Sequence, residues 1–405
     1  MIRLIHLIVL TANTLCIQGW ANNSRYPDKP LDMTDLVAEI RVIEQIKNPA
    51  SQLERISDLW DTLRVSGRIP WISGDTIVFV CKSSASGVHI AGDMTGWSVK
   101  SDYQCTRLGT SDVWYLVKTF PKDARLDYKI VEDKSNWKTD PENPKKQLSG
   151  FGYNSAFSMP DYDSSTYIMP VQSIRKGVLS PAQILASSKL SRDVRFWVYT
   201  PWDYANLDSL SSIYVLDGQD YKTDGMGCMI NILDNVMAEN LTEPVIAVFV
   251  DPMDPGTGKN QREELFLNNT LYAGFFREEL VPFIDSVYKT APDPAKRAIL
   301  GTSYGGNCAA WFGYKIPETF KLLALQSPAF HSNVLSLYKQ CSSLAINKVF
   351  ITTGVYYDTE DDANQMAQTL KSKQTDYQYI KVNEGHSWGN WSALLDDILI
   401  GFFGK

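Results

Sequence analysis

A serine in a Gly-x-Ser-x-Gly pattern is the first place where this sequence could carry out chemistry. The pattern is Gly301-Thr302-Ser303-Tyr304-Gly305. An apolar run, residues 298–300, precedes it, and a helix-forming stretch, residues 308–312, follows it. Such a strand–turn–helix places a serine hydroxyl at the tip of a tight turn, where glycines let the backbones approach. We therefore predict that Ser303 is a nucleophile, and because the pattern alone is common, the prediction depends on finding its partners.

A serine hydroxyl needs a base that takes its proton and a third group that orients the base. The histidines are His6, His89, His331 and His386. His6 falls in a predicted signal peptide and His89 in a strand-rich region. His386 follows a predicted strand and precedes a C-terminal helix, so we predict that it is the base. His331 comes one strand after the serine, and we expect it to line the cleft or lie on the surface.

The orienting acid should lie between the serine and the histidine, after a strand. Asp358 follows the apolar strand of residues 348–352 and the glycine at 354. We favour Asp358, while Glu360, Asp361 and Asp362 remain alternatives. These three acids precede a helical stretch, where acidic residues commonly interact with the helix dipole.

The negative charge that develops on the substrate oxygen needs two preorganised amides. The first is the backbone N–H of Tyr304, the residue after the serine. The second should come from the loop that follows the strand ending at Asp217, where Gly218 permits a tight turn. We nominate the amide of Gln219.

The order of helical and strand-like periods divides the chain into segments. Near-continuous apolar strands alternate with helices in the C-terminal half, which predicts an α/β fold with a mostly parallel sheet and a site at the carboxyl ends of its strands. A small all-β sandwich precedes it. The predicted segments are a signal peptide (1–21), a helical pair (33–66), an Ig-like β-sandwich (68–162), a linker (163–192) and an α/β domain (193–405).

The N-terminal residues indicate the cellular compartment of the protein, and its net charge indicates which binding partners to exclude. Residues 1–21 have a positive start at Arg3, an apolar stretch and small residues before the expected cleavage point, which predicts a secreted or periplasmic protein. Leu15 before Cys16 argues against a lipoprotein anchor, and we expect no membrane span. The formal net charge of -7 argues against nucleic acid or an anionic membrane as a partner.

The cysteine pattern does not indicate a metal or a cofactor. Five cysteines remain after residue 21, and none forms a C-x-x-C pair. Cys81 and Cys105 lie in one strand-rich region and could form a disulfide in an oxidising compartment; reduced, buried thiols are the alternative. The predicted site contains no metal and requires no cofactor.

The predicted β-sandwich resembles the glycogen-binding type of carbohydrate-binding module. The matching residues are Gly92-Asp93 with Trp97, Asp127-Tyr128-Lys129 and the run of residues 136–141. The resemblance implies that Trp97, Lys129 and Trp137 form a sugar platform, with two indoles stacking on sugar rings and a lysine binding hydroxyls. The alternative is that Trp97 belongs to the core and that the module binds no sugar.

Residues 193–405 resemble the esterase D-like branch of the α/β-hydrolases, which includes enterochelin, feruloyl and acetyl xylan esterases. The matching pieces are residues 216–218, 301–306, 354–358 and 384–386, with Asn364 and Trp391 beyond them. The resemblance implies that Ser303 is the nucleophile, His386 the base and Asp358 the orienting acid. The acid position varies within the family.

These observations predict a secreted serine carboxylesterase that removes a feruloyl or acetyl group from a polysaccharide. A catecholate siderophore esterase of the enterochelin type is the alternative within the same class, because both substrates are aromatic esters. A glycan-binding protein with an inert hydrolase domain is the alternative of another class. The oligomeric state is left open.

Overall fold

The computed structural model describes residues 34–405, so the predicted signal peptide of residues 1–21 lies outside the described residues. Two helices come first, α1 (Leu36–Glu44) and α2 (Pro49–Val65). Asp35 caps the first helix and Asn48 the second, each accepting hydrogen bonds from backbone amides of the first turn. Their apolar faces pack against one sheet of the β-sandwich that follows.

Nine strands form the β-sandwich, which we call the β-module (residues 68–162). They are β1 (Trp71–Ser73), β2 (Thr76–Lys82), β3 (Val88–Gly92), β4 (Thr106–Arg107), β5 (Val113–Thr119), β6 (Arg125–Glu132), β7 (Asn136–Lys138), β8 (Lys146–Ser149) and β9 (Gly152–Ser158). One antiparallel sheet has the order β1-β2-β5-β4, and the other has the order β3-β6-β9-β8 with β7 beside β6. Buried aromatic side chains such as Phe79, Tyr128 and Phe157 fill the space between the sheets.

The remaining chain forms one nine-stranded sheet with helices on both faces. Its strands are β10 (Val178–Leu179), β11 (Gln183–Ser187), β12 (Arg192–Thr200), β13 (Ser211–Val215), β14 (Val245–Val250), β15 (Arg297–Thr302), β16 (Leu322–Gln326), β17 (Lys348–Tyr356) and β18 (Asp376–Gly385). The order is β10-β12-β14-β13-β15-β16-β17-β18, with β11 also paired to β12. From β14 to β18 every neighbouring pair is parallel. The predicted α/β-hydrolase architecture is confirmed.

Ten helices cover this sheet. They are α3 (Gly218–Tyr221), α4 (Met229–Ala238), α5 (Arg262–Phe266), α6 (Thr270–Phe275), α7 (Val281–Val287), α8 (Tyr304–Lys315), α9 (Val334–Gln340), α10 (Glu360–Ser372), α11 (Trp388–Ala393) and α12 (Leu395–Phe403). One cluster of buried apolar side chains lies on each face of the sheet. The central strands β13, β14, β15 and β16 are buried along their whole length. The segment predicted as a linker, residues 163–192, contains β10 and β11, which pair with β12.

Both cysteines of the possible disulfide have free thiols in the core of the β-module. Cys81 and Cys105 belong to the same buried cluster. Burial raises the pKa of the Cys81 thiol to about 12 and raises the pKa of Cys105 as well. The alternative of reduced, buried thiols is the one that the structure shows.

None of the helices within residues 34–405 combines the length and the apolar character needed to cross a membrane.

Candidate active site

The turn between β15 and α8 holds Ser303 in a strained conformation. Its backbone angles are φ 57 and ψ -119, a region that residues other than glycine rarely occupy. Gly301 allows the turn, because a Cβ at this position would lie 2.3 Å from the carbonyl carbon of Gly305. The Ser303 amide donates to the Gln326 carbonyl at 2.9 Å, which ties the turn to the end of β16.

His386 lies in the loop between β18 and α11, and its ring contacts a carboxylate. Its Nδ1 is 2.6 Å from Oδ1 of Asp358, which follows β17. The Asp358 side chain is fully buried, whereas the imidazole is about one-third exposed at 34%. The indole of Trp391 packs edge-on against the imidazole with ring centroids 4.9 Å apart. The histidine is therefore fixed on one side and open to solvent on the other.

Three short hydrogen bonds, besides the contact with His386, hold the Asp358 carboxylate. The Ser327 hydroxyl and the Gly354 amide donate to Oδ2 at 2.7 and 2.6 Å, and the Thr359 amide donates to Oδ1 at 2.8 Å. Burial raises the pKa of this carboxyl, but the hydrogen bonds and the neighbouring His386 outweigh burial and hold the pKa below its usual range. Asp358 is thus an ionised acceptor beside the imidazole.

The other three acids lie elsewhere. Glu360 pairs with Lys381 at 2.9 Å, the Asp362 carboxylate accepts from the Phe330 amide at 2.8 Å, and Asp361 is exposed at the start of α10. His331 is exposed, with its ring 5.2 Å from that of Tyr304. Within residues 34–405, Asp358 is therefore the acid that the structure brings to His386.

The two nominated amides start neighbouring helices at one edge of the sheet. Gln219 is in the first turn of α3 and Tyr304 is the first residue of α8, and the strands before them, β13 and β15, are adjacent and parallel. Neither amide donates to a group among residues 34–405. Both N–H groups remain available to a bound oxygen, as the first amides of a helix normally are.

An ion pair that the sequence analysis missed secures the loop after β13. Arg262 donates to both carboxylate oxygens of the buried Asp217, from Nε at 2.6 Å and from the guanidinium terminus at 2.9 Å. The two residues lie 45 positions apart, so nothing in the local sequence links them. Ser327 was also missed, although its place directly after β16 at the same sheet edge could have indicated it.

Ser303 and His386 open into one cavity of about 640 Å³. The hydrolase domain contributes Trp388, Trp391 and Arg262 to its lining, and the β-module contributes Trp97, Lys129 and Phe151. Phe151 is 97% exposed and lies in the turn between β8 and β9. The cavity is therefore built by both halves of the molecule.

Of the three residues predicted to form a sugar platform, two line the cavity of Ser303 and the third does not. Trp97 and Lys129 line the cavity of Ser303, and the Trp97 indole N–H donates to Asp93 at 3.1 Å. Trp137 lies on β7, is 37% exposed and does not line that cavity. Among residues 34–405 no group of three or more His, Cys, Asp or Glu side chains is placed to hold a metal ion.

A mostly parallel sheet, with a strained serine between strand and helix and a His–Asp pair at the same edge, defines the class of α/β-hydrolases. The comparison with family models gives the family. Residues 187–402 match the model of the Esterase family, described as "Putative esterase". The chain belongs to this family and is an Esterase-family hydrolase, as its sequence motifs predicted.

Three individual proteins are similar to this chain in sequence or in fold. The uncharacterized protein YjcH of Bacillus subtilis (strain 168) is 24% identical over 224 residues, which are 53% of this chain and 92% of YjcH. The iron(III) enterobactin esterase of Dickeya dadantii (strain 3937) is 26% identical over 144 residues, 36% of this chain and 32% of the relative. The crystal structure of the enterobactin esterase FES from Shigella flexneri is similar in fold, with a TM-score of 0.69 at 17% identity, covering 81% of this chain and 92% of that one.

Proposed function

We propose that this protein is a serine carboxylesterase that uses Ser303 as nucleophile, His386 as general base and Asp358 as the orienting acid. The observation that carries the proposal is the placement of the strained Ser303 and of the Asp358-bound His386 on one cavity. With its Nδ1–H donating to Asp358, the imidazole has Nε2 free to accept the serine proton. The buried, ionised carboxylate also stabilises the imidazolium that then forms.

The reaction follows from these roles in two stages. Ser303 Oγ attacks the ester carbonyl while His386 takes its proton, and the amides of Tyr304 and Gln219 stabilise the oxyanion. The imidazolium then donates the proton to the departing alcohol, which leaves an acyl-enzyme. A water molecule, activated by the same imidazole, hydrolyses that acyl-enzyme and releases the acid.

The lining of the cavity supports an ester of an aromatic acid. Trp97, Phe151, Trp388 and Trp391 supply apolar faces on which a phenolic ring can stack. A cavity of about 640 Å³ is large for an acetyl group. Its volume suits an aromatic acyl group together with part of the alcohol to which that group is esterified. We therefore infer feruloyl esters of a polysaccharide as the first substrate class, which agrees with the export predicted from residues 1–21.

A catecholate siderophore ester is the second candidate. The fold likeness to the enterobactin esterase FES covers 81% of this chain, more than residues 187–402 can account for, so it extends into the N-terminal half. That half supplies the outer wall of the cavity through Trp97, Lys129 and Phe151. A cyclic triester of 2,3-dihydroxybenzoyl-serine would carry aromatic acyl groups toward the same wall.

One assay tests both candidates. The purified protein is incubated with feruloylated oligosaccharides, acetylated oligosaccharides, methyl ferulate and the cyclic triester of 2,3-dihydroxybenzoyl-serine, and the released acid is measured by chromatography. We expect turnover of aromatic esters that disappears in Ser303→Ala. No turnover of any ester, combined with retention on a polysaccharide affinity gel, would refute the esterase and favour an inert glycan-binding protein.

A further inference from the structure

The β-module packs directly on the loop that carries the predicted base. We call residues 384–387 the His386 loop; it comprises the last two residues of β18 and the two residues that join β18 to α11. Arg125, the first residue of β6, lies beneath this loop and is buried, with a side-chain exposure of 8%. A buried guanidinium is costly unless its donors are satisfied, so its partners indicate what it holds in place.

The Arg125 guanidinium lies near residues on both sides of His386 in the chain. One terminal nitrogen, Nη1, lies 3.3 Å from the Ser387 hydroxyl and donates to it, and the same nitrogen is 3.9 Å from Oε2 of Glu384. Nη1 also pairs with Asp127 at 2.8 Å, and Nη2 donates to Gln147 at 2.8 Å. Asp127 and Gln147 belong to the β-module, so the guanidinium is anchored there and reaches across to the residues that flank the histidine position.

The β-module packs closely against the backbone of the His386 loop and of the first turn of α11. A Cβ at Gly389, in the first turn of α11, would lie 2.0 Å from Nη1 of Arg125. A Cβ at Gly385, next to His386, would lie 2.3 Å from the Asp93 carboxyl carbon. A side chain at either position would displace a buried side chain of the β-module, because the β-module packs against bare backbone there.

The buried acidic side chains around Arg125 favour a cation at this position. Asp93, Asp127 and Glu384 are all buried around Arg125. Burial raises the pKa of Glu384 to about 7, against the lowering effect of the Arg125 charge. Without the guanidinium, the buried carboxyl groups would lose their cation, and the loop would lose its contact with the β-module.

We propose that Arg125 is a positioning residue that holds the His386 loop so that the imidazole faces Asp358, which makes the β-module part of the catalytic scaffold. This inference rests on the proposed function, because it assigns a purpose to the placement of the proposed base. Displacing a reacting group by about 1 Å can cost about 100-fold in rate. A module that held only substrate would instead affect KM.

The test compares Arg125→Met with the wild type and with a matched control. The control is Arg297→Met, because Arg297 is also buried, has 4% side-chain exposure and pairs with Asp285 at 2.8 Å, but begins β15 at the end of that strand remote from Ser303. We expect Arg125→Met to lower kcat on p-nitrophenyl acetate by about 10- to 100-fold with KM changed less than about threefold. Labelling of Ser303 by a fluorophosphonate should slow by a similar factor. Arg297→Met should lower the melting temperature and leave kcat unchanged.

Arg125→Lys separates positioning from a general loss of folding. Lysine keeps the charge but lacks the planar fork of donors, so we expect its kcat to lie between those of the wild type and Arg125→Met. If Arg125→Met does not fold, a several-fold lower kcat at unchanged KM in Arg125→Lys supports the proposal, and an unchanged kcat overturns it. A folded Arg125→Met with wild-type kcat overturns it too. Absence of labelling and turnover in the wild type would instead refute the proposed function.

Discussion

His386 Nδ1 and Asp358 Oδ1 lie 2.6 Å apart, although the two residues are 28 positions apart in the chain. Because the carboxylate is buried and backbone amides donate to both of its oxygens, the NH2 group of an asparagine would meet a donor, and the imidazole would lose the carboxylate that fixes its tautomer. We expect Asp358→Asn to lower kcat by about 10⁴-fold at similar KM. Asp361→Asn is the matched control, since Asp361 is exposed at the start of α10, and its kcat should match the wild type within about twofold. Equal losses in both variants would contradict the assignment of Asp358.

Ser303 is expected to carry the covalent step. Ser303→Ala should lower kcat on p-nitrophenyl acetate by about 10⁴-fold or more, since losing the nucleophile leaves only the contribution of binding and of the oxyanion amides. The mass added to the wild type by a fluorophosphonate should be absent from the variant. Persistence of that adduct on Ser303→Ala would place the nucleophile elsewhere.

Trp97 and Trp137 offer a matched pair for testing the role of the β-module in substrate binding. Their exposed fractions are 36% and 37%, but Trp97 lines the cavity of Ser303 and Trp137 does not. We expect Trp97→Ala to raise KM for an aromatic ester by about 10-fold, as loss of a stacking partner worth about 1.4 kcal/mol would do. Trp137→Ala should leave KM unchanged. A sugar platform separate from the active site would be indicated if both variants lost polysaccharide retention and neither changed KM.

Glu384 should make the stability of the protein depend on pH between about 4.5 and 7. Burial raises the pKa of this carboxyl from its ordinary 4.5 to about 7 in the folded protein. The folded state therefore binds the proton more tightly than the unfolded state does. The resulting stabilisation is complete below about pH 4.5 and is lost as the pH rises through 7, a change on the order of 3 kcal/mol.

Glu384→Gln isolates this effect from that of other carboxyls. Glutamine has the same shape but does not titrate, so the free energy of unfolding in urea, measured at pH 5, 6, 7 and 8, should fall less steeply with pH than in the wild type. Asp220 and Asp396, whose pKa values burial raises to about 6, remain titratable in both proteins. Identical slopes for the two proteins would show that Glu384 is ionised throughout this range.

The thiols of Cys81 and Cys105 should be inert in the folded protein. Burial raises the pKa of Cys81 to about 12 and also raises the pKa of Cys105, and neither forms a disulfide. We expect no alkylation of either residue by iodoacetamide under native conditions and full alkylation of both in denaturant without a reductant. The measurement is peptide mass spectrometry. A disulfide-linked peptide pair whose cysteines are alkylated only after reduction would contradict this prediction.

Local patterns determined much of this protein. The spacing Gly301-x-Ser303-x-Gly305 specifies a strand–turn–helix through sterics that involve a few neighbouring residues, so Ser303 could be recognised from the sequence alone. The apolar strands alternating with helices predicted the parallel sheet, because a strand buried on both faces has no polar side. Since carboxyl ends of parallel strands meet at one edge, Asp358 and His386 could be expected near Ser303.

The tertiary structure decided the contacts between residues distant in sequence. The sequence favoured Asp358 but left Glu360, Asp361 and Asp362 as alternatives. The position of the β17 terminus beside the His386 loop brings Asp358 to the imidazole. Arg262 meets Asp217 and Arg125 meets Ser387 only because separate segments pack together. The sequence indicated a module that resembles carbohydrate-binding modules and left its sugar binding open. The packing of the β-module on the hydrolase domain places Trp97 and Lys129 in the lining of the Ser303 cavity. The packing of the β-module against the hydrolase domain depends on complementary shape and charge at their interface. The local sequence patterns that predict helices and strands do not contain this information.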